Sequence, residues 1–370
     1  MGPLDGVRVI ELEGLGPGPF AGMMLSDMGA DVLQVGRVGT PPAHLGALSR
    51  GKRTVAIDLK APEGVEVFLG LVEHADALVD VFRPGVTERL GIGPDDCLAR
   101  NPGLVYARLT GYGQDGPWAS RAGHDIDYLA IAGALEPLGR PEGPPTPPIN
   151  VLGDFAGGGL MCVLGVVAAL FERSTSGQGQ VVDAAMIDGA ALLMAPFYAG
   201  RTNEGWGPRG TNMLDGAAPF YDSYECADGG WLALGAIEPQ FYAALLTGLG
   251  LDGEDPAAQY DMAAWPARKE RFAAVIRTRT RDEWVSAFEG LDACVAPALT
   301  PDEAPSHPHA VARDAFVFDP GGLPEPAPAP RFSRTPGTVA TPANDPAATW
   351  VDWGLAPAEV TRLTDAGVIA

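Results

Sequence analysis

Val7-Arg-Val-Ile-Glu-Leu12, followed one residue later by Gly14-Leu-Gly-Pro-Gly18, is the stretch on which the fold turns. A short run rich in β-branched side chains, stopped by a glycine cluster, reads as a buried strand entering a tight turn. A helical pattern over residues 20–28 and a second apolar run, Asp31-Val-Leu-Gln-Val35, complete a βαβ unit. The same alternation continues outward, with strands expected at 54–58, 77–81, 104–109 and 180–184 and helices at 62–74 and 160–172. Strands that alternate with helices predict an α/β domain with a largely parallel sheet. Pro141-Glu-Gly-Pro-Pro-Thr-Pro-Pro148 lacks the amide donors of a helix or inner strand, so it is expected to be a loop or crossing segment. A second region starts near Pro219. There Phe220-Tyr-Asp-Ser-Tyr-Glu225, the turn Ala227-Asp-Gly-Gly230 and Trp231-Leu-Ala-Leu234 form a hairpin signal, with helical patterns after it. Residues 301–345 are rich in Pro and Ala and read as a long surface connection.

The chain has 370 residues, 46% hydrophobic and 19% charged, enough for two cores, one large and one small. A formal net charge of −22 argues against general affinity for nucleic acid or anionic membrane. Residues 1–121 hold eleven Lys and Arg against fifteen Asp and Glu, a net of −4, while the remainder nets −18. The first third is therefore where an anionic ligand would find its cations. Cys97, Cys162, Cys226 and Cys294 are widely spaced and form no CxxC, which favours reduced thiols and a cytoplasmic setting. The opening residues lack a secretory pattern, and Gly367-Val-Ile-Ala370 is not a peroxisomal signal. The longest apolar run, around residues 160–171, reads as too short to span a membrane.

Several motifs carry chemical potential beside an ordinary structural meaning. A dinucleotide site would place an acidic residue after the second strand. Here Gly36-Arg37 stands instead, which suits a phosphorylated ribose (NADP or the 3′-phosphate of coenzyme A) or a plain packing turn. Ser49-Arg-Gly-Lys-Arg53 gathers Arg50, Lys52 and Arg53 before a strand, and Phe82-Arg-Pro-Gly85 adds Arg83 after another. At the ligand edge of an open sheet such cations would hold a multiply phosphorylated ligand; otherwise they are a solvated face. In Gly123-His-Asp-Ile-Asp-Tyr128, His124 between carboxylates can be a general base or a surface histidine, and no second His or Cys nearby suggests a metal. In Gly153-Asp-Phe-Ala-Gly-Gly-Gly159, Asp154 can be a helix N-cap. It can also be a functional carboxylate, its pKa lowered by the helix terminus, beside amides open to an oxyanion. Glu238, in Gly235-Ala-Ile-Glu-Pro-Gln240, falls at a loop or helix start. Met186, Met194 and Met213 suit either an adaptable apolar surface or the core.

Taken in order, Leu4-Asp-Gly-Val-Arg-Val-Ile-Glu-Leu12, Asp27-Met-Gly-Ala-Asp31, Arg50-Gly-Lys-Arg53, Arg83-Pro-Gly85, Gly111-Tyr-Gly-Gln-Asp-Gly-Pro117 and Gly179-Gln180 with Asp183 resemble the family III CoA-transferase superfamily (CaiB/BaiF-like). Gly123-His-Asp-Ile-Asp-Tyr128, Arg209-Gly-Thr-Asn-Met-Leu-Asp-Gly216 and Gly235-Ala-Ile-Glu-Pro-Gln-Phe241 resemble its α-methylacyl-CoA racemase branch. Relatives commonly carry an acidic residue where this chain has Gly36.

The resemblance implies a large Rossmann-like α/β domain from residues 1–200 and 320–370 and a smaller α+β domain at 220–310. Linkers would lie at 201–219 and 311–319, and two subunits would interlock as a homodimer. It also implies an acyl-CoA substrate, with coenzyme A as part of that substrate, no separate cofactor and no metal. His124 and Asp154 would move the α-proton of a 2-methylacyl-CoA through an enolate, His124 serving the 2S and Asp154 the 2R enantiomer. Glu238 would orient the imidazole, Asp125 or Asp127 would assist, and amides around 153–157 would stabilise the enolate. Arg37, Arg50, Lys52, Arg53, Arg83, Gly111, Tyr112 and Gly153 would bind the substrate and its CoA. Two alternatives stay open: a CoA-transferase using Asp154 as nucleophile, and a non-catalytic acyl-CoA-binding protein.

Overall fold

A computed structural model describes residues 2–41, 45–201, 206–341 and 345–370. The chain divides into two units: Met1–Ala134 with Pro148–Met194 and Val317–Ala370, and Leu135–Pro147 with Ala195–Phe316.

The first unit is built on six parallel strands, β1 (Arg8–Leu12), β2 (Asp31–Gly36), β3 (Lys52–Ala56), β4 (Ala77–Asp80), β5 (Val105–Thr110) and β6 (Gln180–Ala185), in the order β3-β2-β1-β4-β5-β6. Alternate side chains feed two cores, as a pleated strand requires. Ile10, Leu12, Leu33, Leu78 and Tyr106 pack with Phe68, Leu71, Trp350 and Trp353 on one face. Val9, Val32, Val79 and Val105 pack with Leu25, Cys162 and Val166 on the other. The chain's last residue returns to the sheet: the amides of Ala56 and Ala370 each donate to the other's carbonyl at 2.9 Å. Because β1 lies between β2 and β4, the connections leave it in opposite directions. This opens a crevice at the carboxyl ends of β1 and β4, where open α/β sheets take their ligands.

Three local expectations need correcting. The first helix is Pro17–Asp27, starting before residue 20, because Pro17 and Pro19 fit a first turn whose amides have no helical partner. The glycine motif does not precede the apolar helix but lies within it. Val151–Leu160 is π-helical and runs into the α-helix Met161–Ser176. The result is one continuous helix of 26 residues, long and apolar enough to cross a membrane by length and composition, where the sequence pattern suggested a shorter run. One side of it packs on the sheet: a Cβ at Gly165 would lie 2.7 Å from Val182. Residues 157–159 let it approach its neighbours, since a side chain at Gly158 would meet Met186 and one at Gly159 would meet Phe20. The other side bares Leu160, Leu164 and Phe171, the last 78% exposed.

In the second unit the expected hairpin pairs β7 (Tyr221–Glu225) with β8 (Trp231–Gly235), and β9 (Val295–Ala298) extends it antiparallel. Helices Pro239–Leu249 and Trp265–Ile276 cover it through Tyr242, Leu245, Phe272 and Ile276. Residues 135–147, assigned above to the large domain, belong here. Arg209 anchors them by donating to the carbonyls of Glu136, Arg140 and Gly143 at 3.1, 2.9 and 2.7 Å. Of the linker read at 201–219, residues 202–205 lie outside the described residues, and the rest forms part of this unit. The connection read at 301–345 is more structured than its composition suggests, with a short helix at Pro308–Ala312; its residues 342–344 also lie outside the described set.

Candidate active site

The crevice holds a cavity of about 320 Å³ lined from the carboxyl ends of three strands. Glu13, Gly14, Gly16 and Pro17 follow β1, Phe82 and Arg83 follow β4, and Gly111 and Tyr112 follow β5; His124, Tyr128, Asp154 and Met186 also line it. His124 and Asp154, distant in sequence, thus face one space.

Each reaches it from a helix start. His124 is the N-cap of the helix Asp125–Ile131, and Asp127 Oδ2 accepts from the His124 amide at 3.0 Å. Asp154 is not itself an N-cap: Asn150 takes that place, and Asp154 sits in the first turn. Asn150 Nδ2 donates to Asp154 Oδ2 at 3.3 Å, and the Asp154 amide donates to Asp125 Oδ1 at 2.6 Å. Of the amides at 153–157 expected to face an oxyanion, the Asp154 amide is therefore held by Asp125. The Phe155 amide reaches the Asn150 carbonyl at 3.3 Å. Gly16, at φ +63°, brings the β1 turn against the carboxylate, where a Cβ would lie 3.1 Å from Asp154 Oδ2.

Burial raises the proton affinity of Asp154, against the lowering expected from a helix terminus. The Asn150 hydrogen bond and His124 oppose that rise, and the charge of Asp125 adds to it. Tyr128, whose hydroxyl donates to the Gly123 carbonyl, is pushed up to about 12 by burial and then by Asp154, so it stays a neutral donor. Tyr112 lies edge-on to Trp118 and Tyr128, with centroids 5.4 and 5.0 Å away, and Arg121 covers Trp118 at 4.2 Å. The wall between strand ends and solvent is thus aromatic and cationic.

The expected cations separate. Arg83 lines the cavity with His124, and Arg37 lines a neighbouring one of about 510 Å³ with Lys60 and Thr40; Glu13 borders both. Arg50, Lys52 and Arg53 are a correction. They sit before and at the start of β3, hence at the amino edge of a parallel sheet, away from the ligand edge. Arg50 pairs with Asp27 at 2.5 Å and Glu325 at 3.2 Å, Lys52 with Glu11 at 2.6 Å, and Arg53 with Asp31 and Asp352. Each of the three is held by carboxylates of its own chain. Gly153 is buried beneath Asp125, where a Cβ would lie 2.5 Å from Oδ1, and so acts behind the cavity wall. Glu238 is the exposed N-cap of the helix Pro239–Leu249 in the second unit. Glu13, Gly16, Tyr128 and Asn150 were not singled out as functional from sequence. Their signals were position alone: one residue past β1, in the β1 turn, four past His124 and four before Asp154. Among the described residues no cluster of three His, Cys, Asp or Glu side chains is arranged to hold a metal.

Known proteins share this arrangement of chain and fold. The model of CoA-transferase family III matches residues 4–349. A Mus musculus protein named alpha-methylacyl-CoA racemase is 51% identical over 344 residues, which is 93% of this chain and 90% of that protein. The Homo sapiens protein of that name is 47% identical over 334 residues, covering 90% and 87%. Among solved structures, a CaiB/BaiF family protein from Brucella suis is similar with a TM-score of 0.80 at 26% identity, covering 95% of this chain and 99% of that one.

Proposed function

The chain belongs to CoA-transferase family III, and from that membership we propose that it interconverts the 2R and 2S forms of 2-methyl-branched acyl-CoA thioesters. The observation that carries the reading is that an imidazole and a carboxylate of raised proton affinity line one cavity at the ligand edge of the sheet. Racemisation needs two groups, one to take the α-proton and one to return a proton to the opposite face. Asp154 takes it from the 2R substrate and His124 from the 2S, and the intermediate is the thioester enolate. Its oxygen needs a hydrogen-bond donor in the cavity, and losing one such donor costs on the order of 10²- to 10³-fold in rate. Arg83 and the Arg37–Lys60 cavity hold the phosphates of coenzyme A, in keeping with their position along the same strand ends.

In this reading the protein works as a cytosolic homodimer, and Glu238, from the second subunit, orients His124. The apolar stripe of Leu160, Leu164 and Phe171 supports the pairing. It adjoins β6, an edge strand with Val181 exposed, and a second copy is the partner that would cover both. Sedimentation at micromolar concentration should give twice the chain mass, and Leu164→Glu with Phe171→Glu should give monomer.

The test of function is proton NMR of each 2-methylacyl-CoA enantiomer with the enzyme in deuterium oxide. Deuterium should enter C2 from both starting enantiomers, which should converge on one mixture. His124→Ala and Asp154→Asn should each end interconversion. If CoA instead passed to an added free acid, with an enzyme thioester trapped by hydroxylamine, Asp154 would be a nucleophile and the racemase reading would fall.

A further inference from the structure

The sequence Gly123-His-Asp-Ile-Asp-Tyr128 carries two carboxylates beside His124, and the structure gives them different tasks. Asp127 turns back on its own helix and holds the His124 amide at 3.0 Å. Asp125 turns the other way. Its side chain is buried, and Oδ1 accepts from the Asp154 amide at 2.6 Å. The contact depends on Gly153, because any Cβ there would lie 2.5 Å from Oδ1 and 2.9 Å from Cγ. The second oxygen, Asp125 Oδ2, is buried without a hydrogen-bond partner among the described residues. A buried polar atom without a partner is costly, so its retention calls for an explanation. A helix-start carboxylate with only a structural task would normally bond the amides of its own first turn.

We infer that Asp125 is a positioning residue: it ties the backbone of Asp154 to the helix that carries His124, and so sets the separation of the two proton-transferring groups. This rests on the proton-transfer reading of Asp154. The backbone tie fixes where the Asp154 turn stands, and the 3.3 Å contact from Asn150 holds the carboxylate itself. The uncompensated Oδ2 adds an electrostatic effect, since a like charge beside Asp154 favours its protonated form. Asp125 and His124 act on Asp154, which in turn acts on Tyr128. Neither effect requires Asp125 to touch substrate or exchange a proton with it.

Two variants of the full chain separate the effects. Asp125→Asn keeps a carbonyl oxygen for the Asp154 amide and removes the charge; Asp125→Ala removes both. In Asp125→Asn, the carboxyl carbon-13 titration of Asp154, an activity-independent reading, should move to lower pH. The acidic limb of kcat/KM should follow it, with KM nearly unchanged. In Asp125→Ala, kcat should fall on the order of 10²-fold, the usual cost of displacing a reacting group by about 1 Å. A purely structural residue would alter melting temperature without moving the titration of Asp154. If Asp154 titrates identically in wild type and Asp125→Asn, and Asp125→Ala keeps wild-type kcat, the inference is wrong even though racemisation stands. If the wild type itself exchanges no α-proton, the function proposed above has failed, and the positioning role falls with it.

Discussion

Replacing Lys52 by Met should destabilise the sheet and leave substrate binding almost untouched. Lys52 Nζ is 2.6 Å from Glu11 Oε2, the two side chains are 1% and 0% exposed, and Nζ also donates to the Pro19 carbonyl at 2.9 Å. Gln34 Nε2 donates to Glu11 Oε1 at 2.9 Å. Gly22 makes room for the pair, since a Cβ there would collide with the Glu11 carboxylate. Removing one member of such a pair leaves a buried charge, at a cost of about 3–5 kcal/mol. Burial already raises the proton affinity of Glu11, so the variant has an escape by protonation, and the loss should shrink as pH falls. Amide hydrogen exchange of peptides from β1, β2 and β3 would read the effect. At about 1.4 kcal/mol per factor of ten, exchange should quicken by roughly 10²- to 10⁴-fold. Adding Glu11→Gln to Lys52→Met should recover much of the loss, because no net charge then stays buried. KM for the acyl-CoA should stay within about twofold, a change too small for the loss of a phosphate contact. Unchanged exchange together with a tenfold higher KM would refute the reasoning and return Lys52 to the ligand.

Gly16→Ala should cost on the order of 1–3 kcal/mol, because φ +63° with ψ −112° is a conformation that L side chains rarely adopt, and the new Cβ would press Asp154 from 3.1 Å. Its kcat should fall on the order of 10²-fold with KM little changed, measured by deuterium exchange at C2. Asp154→Asn should abolish racemisation yet stabilise the fold at neutral pH by on the order of 1 kcal/mol, read as a higher melting temperature. The sign follows from burial, which holds the folded-state pKa of Asp154 above its ordinary value. The wild type is therefore favoured below the unfolded pKa and loses that advantage as pH rises through the folded one. Melting curves of both proteins from pH 4 to 8 should converge at the acid end and separate towards neutrality.

Much of the fold was legible because its signals are local. A β-branched run stopped by glycines, then a helical period and another apolar run, define β1, the helix Pro17–Asp27 and β2 whatever surrounds them. The motifs around His124 and Asp154 were equally visible, because a family resemblance rests on short stretches of residue types. The π-helical start at Val151–Leu160 was hidden, since its glycines read as a break while the tertiary contacts of residues 157–159 make them part of the helix.

The sequence by itself determined the alternation of elements, the family and the candidate proton-transfer pair. Only the tertiary structure decided which cations line the crevice. Arg83 and Arg50 look alike in sequence, but one follows a parallel strand and the other precedes one, so they lie at opposite edges of the sheet. It also decided that Lys52 neutralises Glu11 and that Asp125 holds Asp154. Sequence spacing specifies geometry only within a helical turn or along a strand. Contacts between distant residues depend on strand order, register and helix packing, which exist only once the chain has folded.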